Sequence, residues 1–80
     1  MQSMDQLYKD DAVVRSKILE ARGFFSTKTT EEEWNMVIEN LMLMVLYCNE
    51  NMIPSVKATL CEAQTRYAYF RFGILSIPQL

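Results

Sequence analysis

The chain has no histidine, and its 80 residues include only two glycines, two prolines and two cysteines. Without histidine it lacks the commonest general base, the usual partner of a serine or cysteine nucleophile, and the commonest zinc ligand. Because both glycines, Gly23 and Gly73, stand where a helix is expected to end, no glycine-rich phosphate loop is present. We therefore expect a protein that is not an enzyme and that uses no metal and no cofactor.

Basic side chains are missing from the middle of the sequence. Between Thr29 and Val56 there are five glutamates and no lysine or arginine, although the net charge of the whole chain is only -2. All lysines and arginines therefore lie in the flanking thirds. This asymmetry predicts charge complementarity, first within the chain or between subunits, and second with an outside partner.

The two cysteines, Cys48 and Cys61, lie within apolar helical patterns, and the polar N-terminus has no stretch typical of a secretory signal. We expect a reduced, cytoplasmic protein in which both cysteines are small buried hydrophobes. A disulfide between neighbouring helices is the alternative. The longest apolar run, Leu41 to Cys48, is well short of the roughly 20 residues that span a bilayer, so no membrane insertion is expected.

Helical periodicity predicts an all-α fold with a single small domain over residues 1–80. Three helices are expected, at about 3–22, 30–50 and 54–72. The apolar segment 74–80 contains a proline that blocks helix continuation, so we expect an extended tail that either belongs to the fold or serves as a docking segment.

Helix-end residues support these boundaries. The first helix starts at Ser3, with Gln6 completing a capping box, or at Asp10. The second starts at Thr29 or Thr30, with Glu32 or Glu33 three residues later, and Asn49-Glu50-Asn51 ends it. Pro54 lies in the first turn of the third helix. Gly23 and Gly73 are expected to be the left-handed residues that follow the first and third helices.

From Trp34 to Cys48 the apolar positions cover the whole circumference of the second helix. We therefore expect a helix enclosed on all sides, either centrally placed or shared by two subunits. Enclosure is easiest if a second copy contributes, so a homo-oligomeric helical bundle is predicted. The expected self-association residues are Trp34, Leu41, Met42, Met44, Val45 and Tyr47. The expected core comprises Trp34, Val37, Ile38, Leu41, Val45, Leu60, Ala63 and Tyr67.

Two polar residues precede the apolar run of this helix. Glu39 and Asn40 either hydrogen-bond across a subunit seam, where they would fix the register, or mark a solvated edge of the helix. The sequence leaves both interpretations open.

The segment 66–72 has the best composition for a binding site. Its aromatic content also suits a strand, but the helical spacing continues unbroken from Val56. Arginine and tyrosine are enriched at protein interaction hot spots, and aromatic residues with arginines also bind single-stranded nucleic acid. The candidate partner-binding residues are Arg66, Tyr69, Arg71 and Phe72. A candidate anion-binding set on the first helix is Arg15, Lys17 and Arg22.

The function predicted from these observations is that of a small non-catalytic helical binding protein, an adaptor, regulator or inhibitor that acts through protein-protein contacts. The expected partners are a second copy of the chain and another protein. The alternative is binding of nucleic acid or a small anionic ligand through segment 66–72, aided by the bases of the first helix.

Overall fold

The computed structural model describes residues 4–27 and 30–72, with side chains described from Gln6. These residues form three long helices and one short helix, and they contain no strand, which confirms the all-α prediction. The elements are α1 (Met4–Leu7), α2 (Asp11–Phe24), α3 (Glu31–Tyr47) and α4 (Ile53–Phe72), with a 3-10 turn at Glu50–Met52. Segment 66–72 is helical up to Phe72, and the tail 74–80 lies outside the described residues.

The first predicted helix, at about 3–22, is interrupted after Leu7 and resumes at Asp11. The cause is Asp10, whose backbone is extended (φ -91°, ψ 109°) and whose carboxylate accepts a hydrogen bond from the Ala12 amide at 3.0 Å. A capping aspartate satisfies a free amide of the first turn and favours a helix start at that point. The structure thus confirms the alternative start near Asp10, while Ser3 lies outside the described residues.

The expected role of Gly23 is corrected by the structure. Gly23 lies inside α2, which continues to Phe24. No left-handed residue is needed, because two side chains bind carbonyls near the helix end: Ser26 Oγ donates to the Gly23 carbonyl at 3.1 Å and Thr27 Oγ1 to the Phe24 carbonyl at 2.8 Å. Phe25, which directly follows the helix, is buried, and its ring stacks on that of Trp34. Gly73, the second expected stop, lies outside the described residues.

The predicted capping box at the start of α3 is confirmed at Thr30 and Glu33. The Glu33 amide donates to Thr30 Oγ1 at 3.2 Å, and the Thr30 amide donates to Glu33 Oε1 at 3.0 Å. The helix ends at Tyr47, earlier than the predicted boundary at 50, because Cys48 has an extended backbone with ψ 165°. Pro54 lies in the first turn of α4, as predicted.

Asp11 fastens the connection between α3 and α4 to the start of α2. Its two carboxylate oxygens accept hydrogen bonds from Asn49 Nδ2 at 3.0 Å and Asn51 Nδ2 at 2.8 Å. Asn49 Nδ2 also donates to the Lys9 carbonyl at 2.7 Å. The hydrogen bond from Asn51, followed by that from Asn49, lowers the pKa of the Asp11 carboxyl. Arg15, four residues further along the helix, adds a smaller electrostatic lowering of this pKa.

Replacing Asp11 with asparagine is expected to remove part of the acid sensitivity of the fold. Because the pKa of this carboxyl is lower in the folded than in the unfolded protein, its stabilisation is present above about pH 4 and is lost as pH falls through the folded pKa. Urea unfolding followed by circular dichroism from neutral to acidic pH should therefore show the wild type losing its advantage over Asp11→Asn at low pH. Glu20→Gln, at an exposed carboxylate, is the control. A wild-type advantage that stays constant down to acidic pH would contradict the assignment.

The main packing is between α3 and α4, while α2 contacts both and α1 contacts α3. The largest side chains buried to less than 2% exposure are those of Val14, Leu41, Met44, Val56 and Thr59. Thr59 satisfies its hydroxyl within the helix, since Oγ1 donates to the Ser55 carbonyl at 2.9 Å. Of the predicted core, three residues are buried: Trp34, Leu41 and Ala63. The remaining five are partly buried against that core: Val37, Ile38, Val45, Leu60 and Tyr67.

Candidate functional site

The two sides of α3 differ in exposure. Leu41 and Met44 are each 1% exposed, whereas Met42 is 50% and Leu46 is 72% exposed. Glu39, Met42, Leu43 and Leu46 follow at intervals of three, one and three residues, which places them on one side of the helix, where they line a shallow depression. We call these four residues the α3 outer face. Within a single chain the helix is therefore not enclosed on all sides.

The α3 outer face is acidic at one end and apolar at the other. Glu39 is exposed, and it makes no ion pair with any residue in 6–27 or 30–72. Glu39 was predicted either to hydrogen-bond across a subunit seam or to mark a solvated edge, and within a single chain it lies at a solvated edge. Leu43 is partly buried and forms the floor between the two exposed side chains. No base lies on α3 to neutralise this surface.

Most of the predicted self-association residues are covered within their own chain. Trp34 is 4% exposed, and its ring lies 5.8 to 6.5 Å, between centroids, from four other aromatic rings. These rings belong to Phe24, Phe25, Tyr67 and Phe70. Leu41 and Met44 are buried, and Val45 and Tyr47 are partly buried. Met42 is the member of the set that remains exposed, and its self-association stays a prediction.

The arginines of segment 66–72 already contact acidic side chains. Arg66 Nε lies 3.3 Å from Glu62 Oε2, four residues earlier on the helix, and its guanidinium carbon lies 5.6 Å from the centre of the Phe25 ring. Arg71 Nη1 lies 2.6 Å from Glu31 Oε1. Both arginines are therefore neutralised locally, although each remains about half exposed.

A hydrogen-bonded group of three residues joins the end of α4 to the start of α3. The Tyr67 hydroxyl donates to Glu31 Oε1 at 3.2 Å, and Arg71 Nη1 donates to the Tyr67 hydroxyl at 3.3 Å. The hydrogen bond to Tyr67, with the charge of Glu31, raises the pKa of Arg71. Of the other predicted partner-binding residues, Phe72 is 70% exposed and Tyr69 is half-buried beside Arg66. Their binding role stays a prediction.

The three candidate anion-binding residues of α2 do not share one surface. Arg15 and Arg22 line a shallow depression with the exposed Leu19. Lys17 instead lines a cleft of about 110 Å³ between α2 and α3, where Glu20 also lies. An anion bound by all three bases together is therefore not supported by their placement.

The cysteines differ in their surroundings. Both are free, Cys48 buried and Cys61 exposed, so the expectation that both are buried holds for Cys48 alone. Burial raises the pKa of the Cys48 thiol. No group of three metal-ligating side chains occurs in the described ranges. In the same ranges, no helix combines the length and the apolar character that crossing a membrane requires.

Leu19 and Leu46 are exposed, and neither was predicted as a site residue. Leu19 lies outside the apolar stripe of Val14, Ile18 and Ala21, and it stands between two arginines of the same helix. An apolar residue outside the buried stripe indicates an exposed side chain, so the exposure of Leu19 could have been predicted from the sequence. For Leu46 the sequence held no such indication, because its neighbours are apolar on every side.

Comparisons of the chain with protein-family models, with curated proteins and with solved structures find no match.

Proposed function

We propose that the protein is a non-catalytic binding protein that docks onto another protein through the α3 outer face, as an adaptor, regulator or inhibitor. The observation that carries this proposal is the exposure of Met42 and Leu46 side by side, 50% and 72%, on a helix that buries Leu41 and Met44 on its other side. Exposed apolar clusters with a polar rim are typical of protein interaction sites.

The chemistry of the α3 outer face defines the partner. Met42 and Leu46 supply apolar contact area, while Glu39 supplies a negative charge that no residue in the described part of the chain pairs. A partner helix with a leucine or similar residue flanked by lysine or arginine satisfies both requirements. The proposed partner is therefore a basic amphipathic helix.

Binding of nucleic acid or a small anion through segment 66–72 has less support. An anion there has to displace Glu62 from Arg66 or Glu31 from Arg71, and both acids are already within ion-pair distance. The overall charge of -2 also opposes association with a polyanion. This function stays a prediction.

Location and assembly belong to the same proposal. We place the protein in the cytoplasm, where its two free cysteines stay reduced. Self-association into a helical bundle is proposed as well, because an exposed apolar face on a small domain gains most from being covered.

Site-specific photo-crosslinking tests the proposed docking surface. A photoreactive amino acid placed at Leu46 is expected to give one dominant crosslinked protein in cells that produce the chain. The same probe at Gln64, an exposed position on α4, should not give that product. Adding Glu39→Lys and Met42→Ser to the Leu46 probe should lower the yield by about tenfold or more, since interface anchors commonly contribute above about 1.4 kcal/mol each. Equal products from both probe positions, or a yield that these substitutions leave unchanged, would contradict the proposal.

A further inference from the structure

We infer that the α3 outer face binds the outer side of α2 on a second copy of the chain. This inference rests on the proposed function of the α3 outer face and names its partner. We call the complementary surface, formed by Arg15, Leu19 and Arg22, the α2 outer face.

The α2 outer face has the composition required of the partner. Its three residues follow at intervals of four and three, so they share one side of the helix. Leu19 is 71% exposed, and it lies between the two arginines in one shallow depression. It is thus an apolar residue flanked by two positive charges.

The arginines of this surface make no close ion pair in the described residues, although Arg15 contributes a minor electrostatic interaction to Asp11. In the described residues, neither Arg15 nor Arg22 lies within 4.0 Å of a carboxylate oxygen, whereas Arg66 and Arg71 both do. Glu39 likewise makes no ion pair within the described part of the chain. The acid of one outer face and the arginines of the other are therefore available to each other across a contact between two copies.

The two outer faces also match in length. Arg15 to Arg22 and Glu39 to Leu46 each cover eight residues, so the ends of each face lie about 10 Å apart along the helix. With Leu19 packed between Met42 and Leu46, an arginine of α2 reaches Glu39. We expect the association to be weak, because two single helix faces bury less than the roughly 1,200 Å² of a standard interface.

The proposed contact is heterologous: the α3 outer face of one copy binds the α2 outer face of the next, without the reciprocal pair that a twofold dimer forms. A copy that uses its α3 outer face still has a free α2 outer face. If one copy is mutated in its α3 outer face and another copy in its α2 outer face, each keeps one intact face. The two intact faces can still bind each other. A contact between identical faces lacks this property, and the difference gives a direct test.

The test is light scattering on a sizing column with the full-length chain and two exposed double variants. One variant carries Met42→Ser and Leu46→Ser, and the other carries Arg15→Glu and Leu19→Ser. We expect the average mass of the wild type to rise with concentration, and each variant alone to stay near 9.4 kDa. An equimolar mixture of the two variants should form a one-to-one heterodimer, with an affinity close to that of the wild-type contact. Circular dichroism and urea unfolding confirm that both variants remain folded.

Salt provides the second measurement. Raising salt from about 0.1 M to about 1 M shortens the screening length from about 10 Å to about 3 Å. The wild-type association should weaken several-fold over this range because Glu39 and the arginines contribute less, while the apolar contact persists.

Three results would overturn the inference, and each is distinguishable from failure of the proposed function. A wild type that stays monomeric at every concentration excludes the second copy, whereas a crosslink from Leu46 to a different protein would still support docking through the α3 outer face. Variants that remain monomeric when mixed show that one α3 outer face and one α2 outer face do not suffice to hold two copies together. Association that survives both double variants places the contact elsewhere on the chain.

Discussion

Replacing Trp34 with alanine is expected to lower the free energy of unfolding by about 3 to 5 kcal/mol. Trp34 is 4% exposed and contacts aromatic rings of both α4 and the end of α2, so it joins the three long helices. Truncating a buried tryptophan to alanine costs about 3 to 5 kcal/mol. A chain of this length has a total stability of about 4 to 12 kcal/mol. The substitution therefore removes a large share of the free energy of unfolding.

Urea unfolding followed by far-ultraviolet circular dichroism measures this effect, since the variant lacks the tryptophan needed for fluorescence. Phe72→Ala is the matched control, because Phe72 is also aromatic but is 70% exposed. Its free energy of unfolding should stay within about 0.5 kcal/mol of the wild type. Similar losses in both variants would contradict the central place of Trp34 in the aromatic cluster.

The beginnings of the helices were easier to predict than their ends. Thr30 and Glu33 lie three residues apart, and their capping depends only on each other, so sequence spacing was sufficient. The end of α2 depends on Ser26 and Thr27 binding carbonyls, and on Phe25 packing against Trp34 from another helix. Gly23 alone predicted an earlier helix end, but with these contacts the helix continues to Phe24.

Contacts between distant segments were beyond the sequence pattern. Asn49 and Asn51 suggested only a helix end, yet their amides bind Asp11, 38 and 40 residues away. Arg71 resembled a free hot-spot residue, but it is paired with Glu31, 40 residues away. Hydrophobic periodicity identifies the sides of a helix without saying which other helix covers them. Because the apolar run of α3 covers every side of the helix, the sequence could not show which side is exposed.

Leu41 and Leu46 provide a matched pair for this difference within a single helix. Leu41 is 1% exposed and Leu46 is 72% exposed, although the sequence around them is similarly apolar. Leu41→Ala should lower the free energy of unfolding by about 2 to 5 kcal/mol, through lost burial and the cavity left behind. Leu46→Ala should change it by less than about 0.5 kcal/mol in dilute solution. Urea unfolding of both variants at the same low protein concentration measures the difference.

Repeating these measurements at high protein concentration separates burial within the chain from burial between copies. A ligand or partner that binds only the folded state raises apparent stability by mass action, and a second copy acts in the same way. The wild type should therefore gain stability with concentration, and Leu46→Ala should gain less, because it loses part of the α3 outer face. The effect of Leu41→Ala should be the same at both concentrations, since Leu41 is already buried in its own core. Equal losses for the two leucines in dilute solution would mean that both sides of α3 are covered within one chain, and the α3 outer face would then not be a docking surface.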